Sequence, residues 1–341
     1  MTDRQLPGEQ GVVRERPDAG GGAATPSFRL PDGASPGLPG APVPLAIGPT
    51  MFAWGQRTYI MGIVNVTPDS FSGDGLLRGA DRAQGADAGV AAADPVQAAL
   101  AQAQAMVAEG ADLLDVGGAS SRPGHAPIPA EEEIARVVPV VRAIAQALPG
   151  TVISVDTTSP SVAEAALTAG AHLVNDVWGV ADDDGLMRVA AEHRVPIVLM
   201  HNRDAARYRN LMAEVVADLW RALDRALDAG VLWEHLVIDP GFGFGKTPEH
   251  NLALLAGLDE LRVLRRPLLL GTSRKSTLGK LLDLPPGERV EVTAASTVLG
   301  VVAGADIVRV HDVAANVRAA RVADAVRRGW RPAGWITGSD A

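Results

Sequence analysis

Eight short stretches of the chain carry side chains suited to polar chemistry: Asn65, the loop "GGASSRPG" (117–124), Asp156, Asn175 with Asp176, His201, Asp239, the segment "SRKS" (273–276), and Arg309 with His311. The carboxylates of Asp156 and Asp239, with the amide of Asn175, suit a heterocycle that displays adjacent N–H donors beside one or two acceptors. Arg309 and His311 add donors and positive charge of the kind an anionic leaving group requires. Asn65 offers a neutral oxygen to Mg²⁺, a hard ion that takes oxygen ligands and often reaches phosphates through water. "SRKS" opens into the helical segment "TLGKLL", whose first amides suit a carboxylate or phosphate. Together these groups describe a pocket for a donor-rich ring, a diphosphate and a second anion. Each residue alone has a plainer use: Asp156 as a helix cap, His201 and His311 as satisfied core histidines, Asn175 and Asp176 as turn residues, Lys275 as an exposed charge. What favours a shared pocket is that all of them follow apolar runs.

Those runs are "YIMGIVNV", "DLLDVGG", "VISVDT", "HLVNDV", "PIVLMH", "LVIDPG", "PLLLGTS" and "DIVRVHD". Each is short, apolar and rich in β-branched residues, and Ala/Leu-rich helical segments separate them. Continuous apolar strands alternating with helices predict a parallel sheet, and eight such units predict an α/β fold closed as a (β/α)8 TIM barrel. The repeated "EGADLLDV", "AGAHLVNDV" and "AGADIVRV" place a glycine suited to a left-handed helix cap just before a strand. In a barrel of this type the active site lies at the C-terminal ends of the strands, where the polar residues sit.

With 341 residues, 47% hydrophobic and 21% charged, the chain can bury a large core. A net charge of -9 leaves no broad basic surface for nucleic acid. No apolar run is long enough for a membrane helix, and the N-terminus lacks the pattern of a secretory signal, so a cytoplasmic protein without membrane attachment is expected. The absence of cysteine excludes thiolate nucleophiles and disulfides. Residues 1–48, rich in Gly and Pro without periodicity, are expected to be a disordered tail, and 49–335 the catalytic domain. A low-complexity insertion at 78–94 interrupts that domain.

The segment "DPGFGFGKT" (239–247) nearly matches a phosphate-cradling P-loop, but Pro240 stands where that loop needs a glycine and removes an N–H donor. Its glycines are better read as bringing Phe244 close to something flat at the barrel mouth.

In order along the chain stand "MGIVNVTPDSFS", "GADLLDVGGASSRPG", "ISVDT", "VNDV", "VLMH", "IDPGFGFGK", "GTSRKS" and "IVRVHDV". From about Tyr59 to Val313 the chain resembles the dihydropteroate synthases, of the pterin-binding superfamily. The resemblance implies displacement of diphosphate from 6-hydroxymethyl-7,8-dihydropterin diphosphate by the amine of 4-aminobenzoate, giving 7,8-dihydropteroate in folate biosynthesis. It implies pterin binding by Asp156, Asn175, Asp239 and Lys275, with Met200 and Phe244 packing around the ring and Arg309 stacking on it. Arg309, His311 and Lys275 are the catalytic candidates. Asn65 and His311 match the Mg²⁺ and diphosphate positions, Phe71 a first mobile loop, Ser121, Arg122 and Pro123 a second, and Ser276 the 4-aminobenzoate carboxylate site. A homodimer is also implied. Three departures stand out: Ala119 and Ser121 where the family usually reads "GGEST", "SGDG" where it usually reads "SDGG", and the insertion itself. They leave a non-catalytic pterin-binding paralogue open, whereas the diphosphate-type "RVH" pair argues against a methyltetrahydrofolate-type methyltransferase.

Overall fold

The computed structural model describes residues 40–67, 94–119 and 128–335. Eight parallel strands form one sheet in the order β8-β7-β6-β5-β4-β3-β10-β9. They are β3 (Tyr59–Asn65), β4 (Leu113–Gly117), β5 (Val152–Asp156), β6 (Leu173–Asp176), β7 (Ile197–Met200), β8 (Leu236–Asp239), β9 (Leu269–Leu270) and β10 (Ile307–Val310). A parallel bridge from Ile238 to Leu268 joins the two edges, so the sheet closes as the expected (β/α)8 barrel. All eight predicted runs became these strands.

Residues alternate between two cores because successive strand side chains point to opposite faces. Ile60, Leu114, Ile153, Val174, Leu199, Ile238 and Val308 pack outward against the helices. Tyr59, Met61, Leu113, Val152, Leu173, Val198, Val237, Leu269 and Ile307 pack inward. Continued by two residues at a time, the inward set runs to Asn65, Asp115, Asp156, Asn175, Met200, Asp239, Arg309 and His311. The strand period thus delivers the polar residues to the C-terminal mouth. The helices that cover the barrel end as their sequences suggest: Gly110, Gly170 and Gly304 all have positive φ, near 103°, 116° and 111°.

A hairpin that the sequence reading missed closes the opposite mouth. Strands β1 (Leu45–Ile47) and β2 (Thr50–Phe52) pair antiparallel, and Leu45, Ile47, Phe52 and Trp54 join the inward core. The Phe52 and Tyr59 ring centroids are 4.5 Å apart, and Trp54 lies 5.2 Å from Phe52. The boundary at residue 48 is therefore corrected: 45–47 belong to the folded body, because burying Leu45 and Ile47 against the barrel interior gives this short segment a reason to be ordered. Asp94 likewise leaves the expected insertion, since its side chain accepts from the Val96 amide and caps the helix Pro95–Ala108. Of the expected tail, residues 1–39 lie outside the described residues, as do 78–93 of the insertion and Phe71, Ser121, Arg122 and Pro123.

Candidate active site

Arg309 is the hub of the C-terminal mouth. Its Nε donates to Asp115 Oδ2 and its Nη2 to Asp156 Oδ2, both at 2.5 Å. Asn175 Nδ2 donates to the same Asp115 oxygen at 3.0 Å. Three strands and β10 are thereby tied together beneath the pocket. Asp115 is fully buried, yet its Oδ1 has no hydrogen-bond partner. Burial pushes the Asp156 carboxyl up to about 7; Arg309 pulls it down, and Asp115 adds to the rise. Burial alone would lower the Arg309 pKa, but Asp115 and Asp156 outweigh it and hold the guanidinium more firmly charged than usual. Across the mouth, burial also raises Asp239, to about 6, against the Gly241 amide and Lys275. That amide donates to Asp239 Oδ1 at 2.7 Å.

The wall beside Asp239 is the glycine loop. Gly241, Gly243 and Gly245 have φ of 68°, 85° and 53°. A Cβ on Gly241 would lie 1.8 Å from the His201 carbonyl oxygen, and one on Gly245 would lie 2.4 Å from that of Arg203. The loop therefore lies directly on the chain that leaves β7, and only glycine allows it. Phe244 reaches the mouth, where the Lys275 Nζ sits 3.8 Å from its ring centroid, a cation–π contact. Asn251, from the helix Pro248–Ala256, accepts from the Gly243 amide and donates to Thr277 Oγ1 at 2.8 and 2.9 Å, binding the loop to the "SRKS" helix.

The "SRKS" turn is anchored to β10 from both sides. Ser273 Oγ pairs with His311 Nδ1 at 2.9 Å and accepts from the His311 amide at 3.1 Å. Arg274, held at positive φ, forms a two-pronged pair with Asp312 at 3.0 and 2.6 Å. Ser276 is exposed at the start of the six-residue helix Ser276–Leu281. Met200 is buried one residue before His201.

The pterin-binding enzyme family model matches residues 61–311, which contain every residue just described except Asp312. A dihydropteroate synthase of Clostridium beijerinckii is 46% identical over 285 residues, covering 83% of this chain and all of that one. The chain belongs to the dihydropteroate synthase family of pterin-binding enzymes. A Clostridium difficile dihydropteroate synthase solved in the presence of pteroic acid is similar at a TM-score of 0.74 and 44% identity, covering 82% of this chain and all of that one. A Xanthomonas albilineans dihydropteroate synthase in complex with 7,8-dihydropteroate has a TM-score of 0.69 and 41% identity, over 79% and 94%.

Of the residues that the family resemblance singled out, Asn65, Asp156, Asn175, Met200, Asp239, Phe244, Lys275, Arg309 and His311 surround this mouth. Asp176 and His201 were grouped with them in sequence and do not share it. Asp176 accepts from the Trp178 amide at 2.9 Å in a turn, and burial raises its carboxyl to about 6. His201 is one residue out of phase with Met200 and turns outward, its Nε2 lying 3.2 Å from Asp218 on the helix Leu211–Asp228. Three family-site neighbours escaped the sequence reading: Asp115, Asn251 and Lys246. Asp115 had a visible signal, a charge at an inward position of an otherwise apolar strand. Lys246 had one too, as the lysine of the glycine-rich "DPGFGFGKT", but its link to His201 comes from a segment 45 residues away; Asn251 had none, its role resting on Thr277, 26 residues away.

Proposed function

We propose that the chain is a transferase that makes 7,8-dihydropteroate and diphosphate from 6-hydroxymethyl-7,8-dihydropterin diphosphate and 4-aminobenzoate, in folate biosynthesis. The observation that carries the reading is the convergence of Asp156, Asn175, Asp239 and Arg309 at one mouth of a barrel whose relatives are dihydropteroate synthases. Asp239 keeps one oxygen beyond its Gly241 bond, and Asp156 one beyond Arg309, so both can accept from N–H groups of a pterin. Phe244 and Met200 supply apolar contact on the ring, and Lys275 a donor at its edge.

The chemistry follows from the charges. As the C–O bond to the diphosphate breaks, the dihydropterin ring donates electrons into the exocyclic CH₂ and becomes cationic. Asp115, Asp156 and Asp239 lie at the floor, and in their ionised forms they favour a developing positive charge on the ring. Arg309 and His311 face the opposite need, the negative charge gathering on the departing diphosphate. The neutral amine of 4-aminobenzoate then attacks the carbon and loses its proton to solvent or to the leaving diphosphate; no general base is required. Ser276 is the candidate contact for the 4-aminobenzoate carboxylate.

Mg²⁺ fits the donor set in a limited way. Among the described residues no cluster of three His, Asp or Glu side chains forms a metal cage. Asn65, at the end of β3, offers one neutral oxygen, which suits an ion that takes most of its ligands from phosphate and water. When bound there, Mg²⁺ would neutralise diphosphate charge. A homodimer and a cytoplasmic location complete the proposal; no described helix is long and apolar enough to cross a membrane.

The test is direct: purified protein is given both substrates, with and without Mg²⁺, and dihydropteroate and diphosphate are measured. Stoichiometric formation of both is expected. Pterin binding without diphosphate release would instead identify a non-catalytic paralogue.

A further inference from the structure

Lys246 ends the glycine loop, at the position where a P-loop lysine would face phosphate. Here it turns back. Its Nζ lies 3.0 Å from the Gly241 carbonyl, 3.0 Å from the Phe244 carbonyl and 3.0 Å from His201 Nδ1. Burial pushes the Lys246 amine down to about 7, and in its ammonium form it donates to both carbonyls and to His201 Nδ1 when that nitrogen carries a lone pair, with the His201 carbonyl a longer acceptor at 3.5 Å. With that ammonium the ring proton sits on Nε2, which faces Asp218 Oδ2 at 3.2 Å. Burial, followed by the nearby Lys246 charge, lowers His201 to about 4, consistent with a neutral ring. Arg203 fixes Asp218 in turn, through Nε at 3.0 Å and Nη2 at 2.6 Å.

The two carbonyls that Lys246 holds are the ones that decide the pocket wall. Gly241 donates its amide to Asp239, and Phe244 carries the ring that meets Lys275. Three glycines at positive φ within five residues make this segment costly to order, since each glycine loses more backbone freedom than any other residue. We propose that Lys246 is a positioning residue for pterin binding: by drawing the Gly241 and Phe244 carbonyls onto one ammonium and anchoring it to His201, it fixes the Phe244 ring and the Asp239 carboxylate in their binding geometry. The inference rests on the pterin reading of Asp239 and Phe244 given above.

The experiment compares wild type with Lys246→Met, which keeps the stem and removes the donors, and Lys246→Arg, which keeps a charged donor. Steady-state kinetics should show the KM for pterin diphosphate rising about tenfold or more in Lys246→Met, as for loss of charge-assisted hydrogen bonds. The KM for 4-aminobenzoate at saturating pterin, and kcat, should change far less, and Lys246→Arg should recover part of the loss. In the ligand-free protein, ¹⁵N NMR should show His201 as the Nε2–H tautomer in wild type, identified by its absence in His201→Gln. In Lys246→Met its pKa should move up towards the ordinary histidine range. A folded Lys246→Met with unchanged pterin KM, whatever its melting temperature, overturns the proposal; so does a wild-type His201 protonated on Nδ1. If wild type makes no dihydropteroate, the functional reading fails by itself, and the NMR arm still tests the tether.

Discussion

At the N-terminal mouth of the barrel Asp324 accepts from both the amide and the hydroxyl of Thr58 at 2.8 Å, and Asp306 accepts from the Gly55 and Leu268 amides at 3.1 and 3.2 Å. At the C-terminal mouth Asp115 and Glu133 each leave a buried oxygen without a partner, the only such carboxylate oxygens among the described residues. The first mouth is sealed by the Phe52, Trp54 and Tyr59 rings, with the Arg57 guanidinium 4.0 Å over Tyr59 and paired to Asp112 at 2.6 Å. The second is lined by charge that the protein alone does not fully satisfy. Buried acceptors without partners are costly, and a ligand that supplies donors relieves the cost. One end of the barrel is thus closed by the chain's own rings and ion pairs, and the other keeps buried carboxylate oxygens without partners.

The largest effect should come from the sealed end. Phe52→Ala removes a fully buried ring and should destabilise the protein by about 3–5 kcal/mol, while the folded enzyme keeps its KM for both substrates. Chemical unfolding and kinetics on the same preparation check this; a large KM change would mean that the plug and the active site are not separate.

At the open end, Arg309→Ala leaves Asp115 and Asp156 buried without their cation. We expect kcat to fall about 100- to 1000-fold, as when a single stabilising donor is removed from a developing anion. Rapid-quench measurement of diphosphate release would show it, and an unaffected chemical step would remove Arg309 from the leaving-group role. A smaller and more specific loss is expected for Asp239→Ala, about 1.5–3 kcal/mol of pterin affinity for one charge-assisted hydrogen bond. Calorimetry giving the wild-type affinity would take Asp239 out of the site.

The smallest effect is a pH dependence. Asp156 at about 7 and Asp239 at about 6 are raised in the fold above an ordinary carboxylate near 4, chiefly by burial. The folded state therefore binds these protons more tightly than the unfolded chain. Their contribution to stability is complete below about pH 4 and is lost as pH rises through about 6 to 7. Asp156→Asn should make the melting temperature of the ligand-free protein fall less than wild type between about pH 5 and 8. Parallel curves for the two proteins would show that this carboxylate is not strained by burial.

The fold was legible because its signals are local. Eight apolar runs, with glycines before three of them, determine a parallel barrel whatever the details of packing, and the strand period then fixes which residues can share its mouth. The hairpin Leu45–Phe52 was not legible: two strands of three residues carry too little periodicity, and only the barrel interior gives them something to bury against. His201 shows the limit of strand-end reasoning, since one residue of phase sends it to the helix layer instead of the pocket.

The sequence by itself determined the eight βα units, the inward phase of Asp156, Asn175, Asp239 and Arg309, and the family that those motifs belong to, because each of these depends on spacing along the chain. Only the tertiary structure decided that Arg309 bridges Asp115 and Asp156, from strands 194 and 153 residues away, and that Lys246 turns from the pocket to His201, 45 residues away. Hydrogen-bond partners and burial are set by distance in space, and the order of residues along the chain does not encode that distance until the barrel closes.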